Sequence, residues 1–264
     1  MDWTMSSQNL RTTISTKKRV YQAMILRFII GRYGRDNIGF MWTVMEPLVL
    51  CVGVMVIWTQ TKGHDQHGVS VPAFVLTGYV PLTLWRHQTG YAVNMLSHMK
   101  FLTIFNQIKL FDAMMSRFFL EFVSVSAAFM LVQLVLMAFS ILPEPYDYAL
   151  LLQGWVLMGC LGTGVGILLA SISVLTDVIE KVNGPFQYFL LPFCGAFYMV
   201  DWLPDSLQEY AVMLPMVHAY EMIRGGYFGP VVKVHYDAFY AGSWALFFAG
   251  VGCFLFERVR DRVE

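Results

Sequence analysis

Residues 27–50 read RFIIGRYGRDNIGFMWTVMEPLVL, and the change of character inside this stretch decides the fold. It begins as a basic amphipathic segment, turns at Gly31 and Gly34, and at Ile38 becomes an apolar run that continues to Trp58. Arg32, Arg35 and Asp36 sit on the wet side of the change, and Trp42 sits just inside it, where an indole favours the headgroup boundary. Glu46 and Pro47 lie within the run. A carboxylate at that depth is costly unless it faces protein or water. The missing proline amide leaves a carbonyl one turn back in need of another partner. The stretch predicts an interfacial helix, an elbow, and a span bordering a protein-lined space.

Composition extends this reading to the whole chain. Of 264 residues, 57% are hydrophobic and 14% charged, with a mean hydropathy of +0.55. Soluble domains average about 25% charged residues, so the chain reads as an all-α integral membrane protein. Lys and Arg total 18 against 18 Asp and Glu, so only their placement is informative. Residues 1–36 hold Arg11, Lys17, Lys18, Arg19, Arg27, Arg32 and Arg35 against Asp2 and Asp36, too polar for a secretory signal. They predict a cytoplasmic arm whose residues 17–36 lie in the membrane interface, with Val20, Met24, Phe28 and Ile29 on one face. The four cysteines (Cys51, Cys160, Cys194 and Cys253) fall in apolar runs at spacings that suit buried thiols rather than a disulfide framework.

Hydrocarbon requires roughly 20 apolar residues per helix. Six segments meet that need, at about 39–60, 71–96, 114–141, 149–173, 184–201 and 237–256. The segment from Asp201 to Asp237 is interrupted by Pro204, Pro215, Gly225, Gly226 and Pro230, and predicts one or two short re-entrant or interfacial helices between the fifth and sixth spans. With the N-terminus inside, fourteen Lys and Arg fall on the cytoplasmic side and three on the outer side, which satisfies the positive-inside rule. An even number of spans returns the C-terminus to the cytoplasm. The chain divides into an arm (1–36), a single six-span membrane domain (37–256) and a cytoplasmic tail (257–264).

The second span carries the most informative pattern. Tyr79, Thr83, Arg86, Gly90, Asn94 and Ser97 recur at helical steps of three and four, with Trp85, His87 and Tyr91 flanking them. Such a stripe lines an aqueous path or meets partner helices through hydrogen bonds. Trp42 and Glu46 repeat the theme in the first span. Arg117 and Glu121, four apart, suit a structural ion pair. Gly162 and Gly166 suit close helix packing rather than chemistry. His64, Asp65 and His67 read as a solvated outer loop rather than a metal site, and no catalytic constellation stands out.

A phosphate-binding loop needs glycine followed by lysine and a hydroxyl residue, and here no glycine precedes a lysine. If transport is ATP-driven, ATP and Mg belong to a separate subunit that docks on cytoplasmic elements. Three contacts are available: the basic arm and elbow; residues 97–112, with His98, Lys100, Phe101, Phe105 and Lys109; and the 174–183 loop.

RYGRDNIGFMWTVMEPL resembles the opening of the permease subunits of polysaccharide-exporting ABC transporters: basic-Tyr-basic, a small-residue elbow, then Trp and Glu-Pro in the first span. IKLFDAMMSR (108–117) resembles the approach to that family's third span. Asp177 with FQYFLLPFCGAFYMV resembles its fifth span, and LPDSLQEYAVMLPMVHAYEMIRGGYF its re-entrant hairpin, closed by Glu221 and Arg224. The likeness covers nearly everything after residue 20 and is greatest for capsular polysaccharide exporters of Gram-negative bacteria. It implies a multi-pass inner-membrane half-transporter, paired as a homodimer over two ATP-binding cassette subunits, with no nucleic-acid partner. It also implies a periplasmic adaptor or co-polymerase, and a lipid-linked polysaccharide passing between protomers. The Tyr79–Ser97 stripe would then face the glycan, and Arg32, Arg35 or Arg86 the phosphate of its lipid anchor. O-antigen or teichoic-acid permeases remain alternatives, as do a drug permease, a secondary carrier and a membrane-embedded transferase.

Overall fold

The computed structural model describes residues 19–30, 49, 53, 56–57, 65–66, 68–93, 95–99 and 109–263. Residues 19–30 form α1. Its Met24 is buried, and Val20 and Phe28 are partly buried on the same face, as the periodicity predicts. That face meets protein: Met24 clusters with Met95, Leu110 and Met114. The Tyr21 hydroxyl donates to Asp112 Oδ1 at 3.2 Å, and burial, then the Asp112 carboxylate, push the phenol above its usual range, so it stays a donor. Most of the first expected span lies outside the described residues; within it Val49, Gly53, Val56 and Ile57 are helical and exposed.

A two-residue antiparallel ladder, β1 (Asp65–Gln66) with β2 (Val69–Ser70), turns through Gly68 at φ 78°. That left-handed conformation favours glycine. Chain then enters α2 (Val71–Ala92) with Pro72 in its first turn, where the absent amide costs nothing. The sequence predicts this helix to residue 96. Instead it stops at Ala92, Val93 turns extended, and α3 (Met95–Met99) follows. Ser97 therefore sits beyond a break, on a different helix from Tyr79 and Arg86.

α4 (Leu110–Ala138), α5 (Tyr148–Leu175) and α9 (Ala238–Val263) are long helices close to their expected bounds. Each contains a stretch long and apolar enough to cross a membrane. Large apolar side chains such as Phe119, Leu134, Leu152, Leu246 and Phe254 are exposed on them, as lipid contact requires. Asp147 caps α5, accepting from the amides of Ala149 and Leu150 at 2.8 and 3.1 Å.

The expected fifth span differs most from the structure. α6 (Val178–Leu190) begins six residues before the predicted 184 and holds 13 residues, about 20 Å at 1.5 Å each and short of a bilayer's hydrocarbon core. Pro192 bars its continuation, and irregular chain follows to a 3-10 turn at Val200–Trp202. Two short helices then fill the segment read as re-entrant: α7 (Asp205–Ala211) and α8 (Pro215–Phe228). α8 is buried on nearly every side, His218, Glu221 and Arg224 included.

α5 is the central element, packing on α9, α8 and α2. Its glycines permit this. A Cβ at Gly154 would lie 2.8 Å from the Ile223 amide of α8, and one at Gly164 2.7 Å from the Ala245 carbonyl of α9. The Gly162–Gly166 pair faces Gln88 of α2 and Phe118 of α4. Two apolar clusters result. One joins Val71–Leu84 of α2 to α8, the first half of α5 and the second half of α4. The other, at the opposite end, joins α1 and α3 to the start of α4, Ile167 and Ala170 of α5, and Phe256. The expectation of buried thiols holds fully for Cys194 alone among the described cysteines: Cys160 is exposed on α5, and Cys253 is partly buried against the second apolar cluster.

Candidate functional site

Between the two apolar clusters, residues 86–91 of α2 meet three different helices through polar groups. Toward α6, the Arg86 guanidinium lies 5.1 Å above the Tyr188 ring, with Nη2 3.5 Å from the Tyr188 hydroxyl. Gln187 Nε2 donates to Thr89 Oγ1 at 3.2 Å, and Asn183 Nδ2 to the Thr89 carbonyl at 3.5 Å. Gly90 also adjoins Gln187, whose Nε2 would stand in ordinary contact, 3.6 Å, with a Cβ there. Toward α5, Gln88 Nε2 donates to Thr163 Oγ1 at 3.0 Å. Toward α4, His87 Nδ1 comes within 3.4 Å of the wholly buried Glu121 carboxylate, which Arg117 Nη2 meets at 2.8 Å.

The α6 contacts have a clear local origin. Asn183 and Gln187 are one turn apart, so they fall on one face and converge on Thr89. Ile179 and Leu190 continue that partly buried seam, and the rest of α6 is exposed. Val178, Val182, Phe186, Phe189 and Phe193 form an apolar flank on the far side, each more than two-fifths exposed.

The predicted path residues distribute as follows. Tyr79, Trp85, Arg86 and Gly90 are partly buried, and Tyr91 is exposed. Thr83 is buried, and its hydroxyl donates to the Tyr79 carbonyl of its own helix at 3.1 Å. Among the docking residues, His98 on α3 and Lys109 at the start of α4 are exposed. Arg32, Arg35, Trp42, Glu46, Asn94, Lys100, Phe101 and Phe105, with His64 and His67 of the outer loop, lie outside the described residues.

A second polar centre holds the hairpin. Arg224 is wholly buried and donates to the carbonyls of Gly195 (2.7 Å), Ala196 and Tyr198, while its guanidinium lies 4.0 Å from the Phe74 ring centroid. Glu221 accepts from the amides of Val200 at 3.1 Å and His235 at 2.9 Å. The pair thus binds backbone that no regular element serves, which is how buried charge is tolerated. His218 links the same segments. The Asp237 amide donates to Nδ1 at 2.9 Å, so the proton resides on Nε2, which donates to the Val212 carbonyl at 2.8 Å.

Sequence reasoning found Arg86, Arg117 and Glu121 but missed Asn183, Gln187 and Tyr188, although two amides four apart in an apolar run were a usable signal. It also counted Arg224 among the outer-side cations, whereas the side chain has no solvent exposure at all.

Comparison with known proteins gives a consistent picture. The profile described as "ABC-2 type transporter" matches residues 19–228. The chain is 33% identical to the capsule polysaccharide export inner-membrane protein CtrC of Neisseria meningitidis serogroup B, over 86% of each chain. It is 33% identical to BexB of Haemophilus influenzae, of the same description, over 85% of each chain. Identity to the polysialic acid transport protein KpsM of Escherichia coli is 22%, covering 87% of this chain and 91% of that one.

Proposed function

Because the chain belongs to the ABC-2 type transporter family, we propose that it is the membrane-spanning subunit of an ATP-driven exporter that moves a lipid-linked capsular polysaccharide out across the bacterial inner membrane. The observation that carries this reading is the 33% identity, over 85–86% of each chain, with relatives named as capsule polysaccharide export inner-membrane proteins. It is a permease subunit and not itself an enzyme. ATP and Mg are bound by a separate subunit, since the sequence has no glycine–lysine step with which to cradle phosphate.

The finer reading is as follows. Six spans cross the membrane with both termini in the cytoplasm, in keeping with fourteen Lys and Arg inside against Lys62 and Lys233 outside once the buried Arg224 is set apart. The α7–α8 segment is the re-entrant hairpin between the fifth and sixth spans. Two copies pair about a two-fold axis and cover the apolar flank of α6. The glycan passes between them, over Tyr79, Trp85, Arg86, Gly90 and Tyr91, with Trp42, Glu46, Asn94 and Ser97 extending the path, and Thr83 is left out because it is buried with its hydroxyl bonded within α2. Arg86, Arg32 and Arg35 supply cations for the anchor phosphate. His98, Lys100, Phe101, Phe105 and Lys109 form the docking surface for the ATPase, and a periplasmic adaptor meets the outer hairpin. Membrane lipids contact the exposed apolar faces of α4, α5 and α9.

Affinity capture of the tagged chain from mildly solubilised native membranes tests the assembly. The expected result is an ATPase subunit in equal amount with two copies of the chain per particle. Recovery of the chain alone, under conditions that keep known exporters intact, would contradict it.

A further inference from the structure

α2 has two working sides. Arg86 faces α6, and the next residue, His87, faces α4. The α4 side is unusual. The Arg117 guanidinium lies 4.9 Å from the Tyr91 ring centroid of α2 and 5.6 Å from the Phe28 ring centroid of α1, while its Nη2 holds Glu121 at 2.8 Å. Glu121 in turn approaches His87, whose ring meets Tyr91 edge-on with centroids 5.4 Å apart. One planar cation on α4 thus reaches two other helices while paired within its own.

The same end of the bundle holds the elements assigned to ATPase docking. Met95, Leu96 and Met99 of α3 share an apolar cluster with Met24 of α1 and with Leu110 and Met114 of α4. A displacement of α1 or α3 therefore bears directly on the start of α4. From there the polar connection onward is the Arg117–Tyr91 stack, with the Arg117-paired Glu121 lying beside His87, and α2 carries it to Arg86 and Thr89, which hold α6 through Tyr188 and Gln187. Close-packed apolar contacts transmit strain, and a paired, stacked guanidinium adds to this by fixing the orientation of its partners as well as their spacing.

We propose that the Phe28–Arg117–Tyr91 stack, braced by Glu121 and His87, is the mechanical joint that transmits ATPase movement to α2 and thence to the path-facing Arg86. Arg117 is a positioning residue: it touches no substrate, and its planarity matters as well as its charge. The proposal rests on the assignment of an ATP-driven exporter and deepens it by naming the coupling element.

The test uses the full complex of the chain with its ATPase subunit in liposomes, with ATP hydrolysis and polysaccharide translocation measured on the same sample. Wild type must assemble, hydrolyse and translocate; failure there removes the exporter reading and the joint with it. Given an active wild type, Arg117→Lys, which keeps the charge but not the planar stack, should assemble and hydrolyse ATP normally while polymer moved per ATP falls about tenfold, within the usual range of coupling effects. Phe28→Ala should do the same, and Phe28→Tyr, which restores a ring, should recover coupling. Wild-type polymer per ATP in both Arg117→Lys and Phe28→Ala would overturn the joint. So would loss of assembly, hydrolysis and transport in proportion, which marks a purely structural role.

Discussion

The Arg224 guanidinium on α8 reaches 29 residues back along the chain to the Gly195 carbonyl, which it meets at 2.7 Å, and that contact fixes the turn where α6 gives way to the hairpin. Gly195 has φ 86°, a conformation open to glycine, so neither residue has an easy substitute. Arg224→Leu removes the donor for three buried carbonyls and should destabilise the protein by about 3–5 kcal/mol. Arg224→Lys, one compact donor in place of a planar fork, should recover part of that. Thermal unfolding of the purified protein in detergent measures both. A wild-type Tm for Arg224→Leu would mean that the clamp contributes nothing.

Thr89 and Gln187 tie α2 to α6 across 98 residues. Thr89→Val keeps the shape but leaves the Gln187 amide without that acceptor, at a cost of about 1–3 kcal/mol. A double-mutant cycle with Gln187→Leu should give a coupling energy of roughly 0.5–3 kcal/mol, read from denaturant or thermal midpoints. Strict additivity would deny the contact.

Two glycines make opposite predictions. Nothing lies within 4 Å of a Cβ at Gly184 in α6, so Gly184→Ala should strengthen that helix by about 1 kcal/mol. At Gly154 the Cβ would press on the Ile223 amide at 2.8 Å, so Gly154→Ala should cost about 1–3 kcal/mol. Midpoints from the same unfolding assay separate them. Gly184→Phe adds a test of pairing: if a second copy covers α6, size-exclusion with light scattering should show more single protomers than wild type.

Much of this arrangement was legible in the sequence, and the exceptions have physical reasons. α4, α5 and α9 announce themselves because apolar runs of this length have no other stable setting. The buried face of α1 followed from the spacing of Val20, Met24 and Phe28, though not the fact that it meets protein. α6 was misplaced because composition follows the apolar run through Val200, whereas the helix obeys its ends: Asp177 and Glu180 at the start, Pro192 at the close. The break at Val93 left no comparable signal. His87 with Glu121, and Thr89 with Gln187, were illegible as pairs, since the register between distant helices is set by packing that no local window contains. Arg224 was misjudged for a related reason: its partners are main-chain carbonyls, which every sequence has.

Arg86 is the residue on which the path assignment depends. Arg86→Ala should insert, pair and bind the ATPase subunit normally, yet export about tenfold less polymer, the loss of one charge-assisted contact of roughly 1.4 kcal/mol. Arg86→Lys should fall between. Surface capsule quantified against chain abundance in membranes decides this, and normal export by Arg86→Ala would remove Arg86 from the path.

ATP-dependent uptake of lipid-linked capsular polysaccharide into inverted inner-membrane vesicles tests the central claim most directly. Vesicles holding this chain and its ATPase subunit should accumulate polymer in the lumen with ATP, and not without ATP or without the chain. Equal accumulation in vesicles lacking the chain, or none in vesicles whose intact complex hydrolyses ATP, would contradict the account.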